Sequence, residues 1–194
     1  MPDSPAARAD PIWTIGHSTR TFDDFLALLA ANAIEAIADV RRFPGSRRYP
    51  HFAREALEQA LPAHGIDYRW LPQLGGRRKP APDSPNSAWR NDAFRGYADH
   101  LSSAEFQEGL DQLLALAARR RTAILCAEAV WWRCHRALIS DVLKVRGMEV
   151  MHITDAKHAV VHPYTKAARV VGGKLSYADD GGASGSLFAQ ETIR

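Results

Sequence analysis

The sequence predicts an α/β fold: a Rossmann-like, three-layer domain with a mostly parallel sheet of about five strands, helices on both faces and a short C-terminal hairpin. Short apolar segments alternate with stretches of helical periodicity in the order β-α-β-α-β-α-β-α-β. That alternation is typical of parallel strands joined by right-handed crossovers. The composition, 46% apolar and 24% charged over 194 residues, is that of a globular chain long enough to bury one core.

Compact apolar segments are the expected strands. The first spans 12–15 and the second 33–40, and three more span 66–71, 122–126 and 148–153. Short apolar runs bounded by turn residues are typical of buried strands. No internal repeat interrupts this order, so the segments are expected to form one sheet.

Capping residues predict where two of the helices begin. Thr21 is followed three residues later by Asp24, and Ser102 is followed three residues later by Glu105. This spacing lets each hydroxyl accept from a backbone N–H while the acid reaches back to the capping residue. An apolar stripe at helical spacing follows each pair, as expected for a helix packed on a sheet.

Two further helices and one long loop complete the expected domain, residues 12–154. One helix spans 52–61, and the other begins near Arg133 and stops at Gly147, a favourable residue after a helix C-terminus. The stretch 72–91 is rich in Pro, Gly, Arg and Ser. A loop of that length in a compact domain usually has a function or is mobile.

The two ends of the chain are expected to lie outside this domain. Residues 1–11 are interpreted as a flexible leader and residues 155–194 as a tail. Within the tail, the pair Gly172-Gly173 predicts a hairpin over 168–177, because glycine accepts the backbone angles of a two-residue turn. The Gly- and Ser-rich stretch 179–186 is expected to be flexible.

Composition also limits the compartment and the partners. The first residues lack the apolar region of a secretory signal, and no apolar run approaches the roughly 20 residues of a membrane span. Two cysteines do not make a disulfide framework, so we expect a reducing cytoplasm and no membrane partner. The net charge of +3 does not by itself indicate nucleic acid.

Polar residues concentrate after the predicted strands. Ligands of open α/β sheets bind at the carboxyl ends of the strands, and the loops that follow four of them carry most of the unusual side chains. These residues are His17, Ser18, Asp39, Arg41, Arg42, Gly75, Gly76, Arg78, Cys126, Glu128, Arg133, Cys134, His135 and Arg136. Chance would scatter them over both edges of the sheet, so we expect one site here.

The basic members of this set predict an anion site. Arginine binds phosphate with two parallel hydrogen bonds, and the expected anion-binding arginines are Arg41, Arg42, Arg78, Arg133 and Arg136. Backbone approach at Gly75 and Gly76, and the hydroxyl of Ser18, complete the expected set. A phosphate-containing ligand is therefore the expected partner.

Four other residues are candidates for catalysis. Cys126 precedes the expected helix at Arg133, whose N-terminus would lower the pKa of the thiol. His17 is a candidate base, or a hydrogen-bonding loop residue. Asp39 and Glu128 either act as acid or base or orient the arginines; the sequence leaves both roles open.

The segment from Cys126 to Arg136 resembles three known sites incompletely. In a cysteine phosphatase loop five residues separate the cysteine from the arginine, whereas six separate Cys126 from Arg133. A zinc deaminase would need a second cysteine pair. Cys126, Cys134 and His135, with or without His17, are acceptable zinc ligands. Neighbours in sequence such as Cys134 and His135 are expected to point apart, and the sequence leaves the identity of any cofactor open.

Several motifs together resemble one family. They are Thr14-Ile-Gly-His-Ser-Thr19, Asp39-Val-Arg41, Leu74-Gly-Gly-Arg-Arg78, Phe94-Arg-Gly-Tyr97, Cys126-Ala-Glu128 and Cys134-His-Arg136. In this order they look like the bacterial and archaeal family called domain of unknown function 488. The resemblance covers residue 12 to about residue 154, and His162-Pro-Tyr-Thr165 with the hairpin is similar to the tail of many members. It implies a compact α/β domain and brings no settled activity, cofactor or substrate.

Three functions remain open at this stage. The first is an enzyme that acts on a phosphate-containing small molecule, nucleotide or nucleic-acid end. The second is a non-catalytic module that binds nucleic acid with the same arginines, which should show a long basic surface and strong salt dependence. The third is a metal-binding protein that uses Cys126, Cys134 and His135. The sequence does not indicate an oligomeric state.

Overall fold

The computed structural model of the protein describes residues 10–45 and 47–179. Nearly all of the expected leader, 1–11, lies outside the described residues, as does the expected flexible stretch 179–186 beyond its first residue. The described residues form an α/β fold with a six-stranded, mostly parallel sheet and a separate two-stranded hairpin. The predicted fold class is confirmed.

The sheet contains one strand more than predicted. Its strands, in chain order, are β1 (Ile12–Gly16), β2 (Ala36–Asp39), β3 (Asp67–Trp70), β4 (Thr122–Cys126), β5 (Val150–Ile153) and β6 (Ala159–Val161). They lie in the order β3-β2-β4-β1-β5-β6. The first five are parallel, and β6 pairs antiparallel with β5. All residues of β1, β2 and β4 are buried, as expected for the centre of a sheet covered on both sides.

Five α-helices pack against this sheet. They are α1 (Phe22–Ala31), α2 (Arg54–Ala63), α3 (Asp92–His100), α4 (Ala104–Ala117) and α5 (Arg136–Val145). Alternate residues of β4 belong to different cores: Ile124 packs with α4 and α5, and Leu125 packs with α1 and α2. Because successive strand side chains point to opposite faces, the sheet separates two apolar layers, which confirms helices on both faces.

Three helix starts differ from the prediction. Helix α2 begins at Arg54 rather than at Phe52, because residues 50–52 form a 3-10 turn. Ser103, not Ser102, caps α4, and its Oγ accepts from the backbone N–H of Phe106 at 3.1 Å. Glu105 does not complete a capping box, because its carboxylate binds Arg78 instead. Helix α5 begins at Arg136 rather than near Arg133, since residues 131–133 form a separate 3-10 turn.

Two elements were not predicted. Helix α3 begins after Asn91, whose side chain accepts from the backbone N–H of Ala93 at 2.9 Å and of Phe94 at 3.3 Å. This helix was not predicted because it follows the long loop directly and is too short to show a clear apolar period. Strand β6 is only three residues long, Ala159–Val161, which is too little for the alternation that identifies a strand.

The predicted C-terminal hairpin is confirmed. Its strands are β7 (Arg169–Val171) and β8 (Lys174–Ser176), and Gly172 and Gly173 have φ angles of 55° and 75°. Positive φ at both positions is the geometry that favours glycine in a two-residue turn. Directly after β8, the buried Tyr177 donates its hydroxyl to Asp141 of α5 at 2.8 Å, so the tail packs on the helical layer.

A buried hydrogen-bonded chain connects β1 to α5. The Thr14 hydroxyl lies 2.7 Å from Nδ1 of His152, Nε2 of His152 lies 2.8 Å from Nδ1 of His162, and Nε2 of His162 lies 3.0 Å from Asp141 Oδ1. The carboxylate accepts a hydrogen bond from His162, so His162 and His152 each donate from Nε2 and accept at Nδ1. In this hydrogen-bonded series each ring nitrogen therefore has a partner, and the pattern needs no charged imidazole.

Candidate functional site

A cavity of about 340 Å³ opens at the carboxyl edge of the sheet. Residues that follow β2, β3 and β4 line it, together with the first turn of α3. Arg42, Arg77 and Arg133 lie at its rim, and a group of sulfur and imidazole side chains forms its floor. The cavity is at the edge where the fold rule places ligands.

Cys126, Cys134 and His135 form the floor. Their Sγ atoms and one ring nitrogen lie within 4.8 Å of one another. His135 Nδ1 is 4.0 Å from Cys126 Sγ and 3.7 Å from Cys134 Sγ. The expectation that Cys134 and His135 point apart is wrong: Cys134 precedes α5 in extended backbone (φ −133°, ψ 148°) and His135 is already helical. This change of backbone turns both side chains to the same side.

The tautomer of His135 follows from its other nitrogen. Nε2 lies 3.2 Å from the carbonyl oxygen of Val40. A carbonyl oxygen only accepts, so Nε2 carries the proton and donates it. Nδ1 then presents a lone pair to the two sulfur atoms.

The two thiols of the floor differ in acidity. The hydrogen bond with Cys134, followed by burial, raises the pKa of Cys126 well above that of a free thiol. Burial opposes ionisation of Cys134 most strongly, but the hydrogen bond from Cys126, the neighbouring His135 ring and the charge of Arg136 together lower its pKa. The prediction that Cys126 is the acidic thiol is therefore wrong. The cation beside the thiols is Arg136, which donates its Nε–H to Cys134 Sγ at 3.3 Å.

Gly75 and Gly76 are needed for packing within the protein. A Cβ at Gly76 would lie 2.9 Å from Nδ1 of His135, and a Cβ at Gly75 would lie 2.8 Å from Cβ of Arg42. Side chains at these positions would collide with the floor and with the rim. The two glycines were expected to let the backbone approach a ligand. In the structure they make room for the side chains of Arg42 and His135.

The rim carries more positive than negative charge. Arg42 donates to the backbone oxygen of Arg77 at 3.2 Å, and both guanidinium groups flank the ring of Phe43, at 5.7 and 5.8 Å from its centre. Arg133 is exposed and has no ion pair within the described residues. Glu128 is the one carboxylate among the lining residues, and its side chain is exposed. The backbone of Arg77 is in the left-handed region, with a φ of 60°.

Asp39, Arg41 and His17 form a buried network beside the cavity. Arg41 donates Nε to Asp39 Oδ1 at 2.8 Å and a terminal nitrogen to Oδ2 at 2.5 Å. Tyr68 donates its hydroxyl to the same carboxylate at 2.7 Å. The other terminal nitrogen of Arg41 donates to His17 Nε2 at 3.3 Å. Asp39 was a candidate acid or base, but both of its carboxylate oxygens accept hydrogen bonds within this network.

His17 is held neutral in this network. Burial, and then the charge of Arg41, lower its pKa to about 4. Its ring stacks on Phe52 at 4.3 Å between centres, and its Nδ1 donates to the backbone oxygen of Ser18 at 3.0 Å. The ring does not line the cavity. Its contacts are those of a residue that positions Arg41.

Four predicted anion-binding residues do not line the cavity, and one of them is Gly75, which packs against Arg42. Arg78 turns away and binds Glu105 at 2.8 Å. Arg136 is 1% exposed. It donates to the backbone oxygen of Glu128 and to Sγ of Cys134 in the floor. Ser18 donates its backbone N–H to Ala127 at 2.9 Å, which shapes the loop after β4. Arg41, Arg42 and Arg133 do line it.

Arg77 and Phe43 are lining residues that sequence reasoning did not select. Arg77 and Arg78 are neighbours of the same type, and only the positive φ at Arg77 decides which of them faces the cavity. Phe43 lies in a loop without periodicity. Phe94 in α3 also lines the cavity, and the cap at Asn91 was the signal that would have found it.

The family described as "Domain of unknown function DUF488" matches residues 21–143, more than half of the chain. The chain belongs to the DUF488 family. The DUF488 match contains every residue that lines the cavity and begins just after His17. The comparison with curated proteins and the comparison with solved structures each gave no match. In the described part of this DUF488 chain, no helix combines the length and apolar character needed to cross a bilayer.

Proposed function

We propose that this protein is an enzyme whose cavity binds the phosphate group of a small molecule, a nucleotide or a nucleic-acid end. The observation that carries the proposal is the charge of the cavity. Four arginines line it, and Glu128 is its one carboxylate. Of these arginines only Arg41 has a carboxylate partner, Asp39, within the described residues.

The arginines favour a phosphate over a monovalent inorganic ion. Guanidinium groups form paired hydrogen bonds with phosphate oxygens. Arg42, Arg77 and Arg133 converge on one concavity from three loops, so their mutual repulsion is relieved when an anion enters. The buried pair of Arg41 and Asp39 contributes little net charge.

The aromatic side chain at the rim favours a ligand that carries a base. Phe43 is 65% exposed, although an exposed aromatic ring loses favourable burial. Its edge position between Arg42 and Arg77 leaves it beside the expected phosphate site. Aromatic rings of this kind stack on nucleobases. This supports a nucleotide or a nucleic-acid end over a simple phosphate ester.

The composition of the floor supports an enzyme over a simple binder. Two cysteines and a neutral imidazole meet directly beneath the arginines. Such groups supply nucleophiles, bases or metal ligands, whereas electrostatic binding alone needs none of them. Glu128 at the rim is the group positioned to exchange a proton with the bound ligand.

Phosphate binding is tested by thermal unfolding. We expect inorganic phosphate to raise the melting temperature more than chloride at equal ionic strength, with saturation, because a ligand that binds only the folded state stabilises it by mass action. Arg77→Ala and Arg133→Ala should each remove much of the increment. Arg78→Ala is the matched control, since Arg78 binds Glu105 outside the cavity.

Two results would contradict the proposal. One is a shift that rises linearly with phosphate, as expected for exclusion of the ion from the surface. The other is equal loss of the increment in Arg78→Ala and Arg77→Ala. A nucleotide monophosphate should saturate at a lower concentration than inorganic phosphate if the ring of Phe43 contributes.

A basic groove beside the cavity favours the second candidate, a nucleic-acid-binding module. Arg42, Arg77, Arg78 and Lys79 line this groove, so the positive surface extends beyond one phosphate site. A module would bind long single strands more tightly than a mononucleotide, with an affinity that falls steeply with salt. Equal affinity for a mononucleotide and a longer strand would favour the enzyme.

A further inference from the structure

We infer that Cys126, Cys134 and His135 bind a transition-metal ion of the zinc type in the floor of the cavity, with a fourth coordination position open to the proposed phosphate site. The chemistry of the three donors points to this ion. Two thiolates and an imidazole suit Zn²⁺, whereas Mg²⁺ and Ca²⁺ require oxygen ligands. The metal site stands independently of the proposed function, which supplies only the ligand for the open position.

The distances fit such an ion after a small adjustment. Zinc lies about 2.3 Å from sulfur and about 2.0 Å from nitrogen, so tetrahedral donors are roughly 3.5 Å apart. The two sulfur-to-nitrogen distances here are 4.0 and 3.7 Å. The two sulfur atoms lie within 4.8 Å of each other, so a shift of roughly half an ångström by each side chain closes the site. All three donors already lie on one side of the loop between β4 and α5.

The outer contacts are those of a metal ligand set. His135 donates Nε2–H to Val40, which fixes its tautomer and directs the Nδ1 lone pair at the sulfur atoms. Arg136 donates to Cys134 Sγ and thereby stabilises its thiolate. Ligating imidazoles usually donate their other N–H in this way. Among the described residues, the two sulfur atoms are the hydrogen-bond partners of Nδ1.

A disulfide between the two cysteines explains the floor less well. Oxidation would leave neither sulfur with a proton to donate to Nδ1 of His135. It would also leave the Nε–H of Arg136 beside an uncharged disulfide sulfur, whereas a metal-bound Cys134 thiolate gives it an anionic acceptor. A bound metal instead engages both sulfur atoms and Nδ1 at once, and the two thiol protons pass to solvent on binding.

The fourth position faces the cavity. Cys126, Cys134 and His135 all line it, and the cysteines are 7% and 3% exposed. A site with three protein ligands and one open position is the arrangement of catalytic zinc rather than structural zinc. A phosphate oxygen or a water molecule is the ligand that the arginines would place there.

The test is metal binding by the reduced, chelator-treated full chain. We expect about one zinc ion per chain, with release of about two protons. Cys126→Ser, Cys134→Ser and His135→Ala should each weaken the affinity by roughly 100-fold. His64→Ala, at an exposed position after α2, is the control and should bind as the wild type does. Circular dichroism identifies any variant that fails to fold.

Cobalt binding by the wild type keeps the test decisive if the variants do not fold. The Co²⁺ form should show thiolate-to-metal charge transfer and the strong visible bands of a tetrahedral site. Absence of these bands, zinc affinity unchanged in Cys126→Ser, or a Cys126–Cys134 disulfide in freshly prepared metal-free protein would each overturn the inference.

Added phosphate separates this inference from the proposed function. If phosphate changes the visible bands, the open position faces a phosphate site as inferred, and both stand. If the bands form but phosphate has no effect on them or on the melting temperature, the metal site stands and the proposed function fails. If phosphate raises the melting temperature with saturation but no metal binds, the proposed function stands and the inferred metal site fails.

Discussion

The α-carbon of Gly76 lies directly against the imidazole of His135: a Cβ added to it would be 2.9 Å from Nδ1. This relationship fixes the depth at which the ring enters the floor. Because Nδ1 is the proposed metal ligand, any atom at that position displaces the donor itself. The contact therefore makes a sharp prediction.

Gly76→Ala should move His135 and weaken zinc binding by roughly 10- to 100-fold. Overpacking should also cost about 1–3 kcal/mol of unfolding free energy. Competition with a chromophoric chelator measures the first effect and urea unfolding the second. Gly45→Ala is the control, because no atom of the described residues lies within 4 Å of a Cβ there. Equal zinc affinities in the two variants would contradict the packing argument.

Stability should fall as the pH is lowered from 6.5 towards 4.5. The pKa of His17 is lowered to about 4 by burial and by Arg41, and that of His152 to about 2 by burial, His162 and Arg136. Between these values and the unfolded value near 6.5, the unfolded state binds more protons, so acid favours unfolding. Each group contributes a slope of up to about 1.4 kcal/mol per pH unit.

Urea unfolding across that pH range measures the slope. His17→Gln should reduce it by roughly a third to a half, because it removes one of three histidines whose pKa values are lowered, the other two being His100 and His152. His64→Gln, at an exposed position, should leave it unchanged. The pKa values of Asp99 and Glu105 are lowered, so these groups titrate mainly below the window. A slope that is the same in His17→Gln and the wild type would show that His17 is charged in the folded protein.

Phe43→Ala should distinguish base recognition from phosphate recognition. If the exposed ring stacks on a base, its removal should weaken binding of a nucleotide monophosphate by about 1–3 kcal/mol. The affinity for inorganic phosphate should stay the same, because Arg42 and Arg77 remain. Calorimetric titration with both ligands measures this difference. A parallel loss for both ligands would mean that the ring only positions the arginines.

Asp141→Asn should unfold the tail side of the molecule more readily. The carboxylate accepts from His162, from the backbone and hydroxyl of Thr165, and from Tyr177. An amide would replace one acceptor oxygen with a donor and place it opposite other donors, and loss of such hydrogen bonds to a buried charge costs about 1.5–3 kcal/mol. Urea unfolding measures it, and Asp111→Asn on the exposed side of α4 is the control. Equal midpoints in the two variants would contradict this account.

Sequence reasoning reached the sheet and the edge at which the site lies, because strand alternation and the rule for parallel sheets are properties of the chain's pattern. It could not choose between Arg77 and Arg78, which differ by the backbone angle at one residue. It placed Asp39 and His17 in catalysis, since their mutual burial with Arg41 depends on three loops meeting. It treated Cys134 and His135 as divergent, because a change from extended to helical backbone between them has no sequence signature.

The backbone of Arg77 has a consequence for how this site is maintained. Its φ of 60° is a conformation that costs a residue with a side chain roughly 1 kcal/mol and that glycine adopts freely. Glycine at this position would therefore fold at least as well, and it would remove a cation from the rim. Selection for stability alone has no reason to keep an arginine here. If Arg77 binds the phosphate group proposed above, stability and ligand binding make opposite demands on position 77.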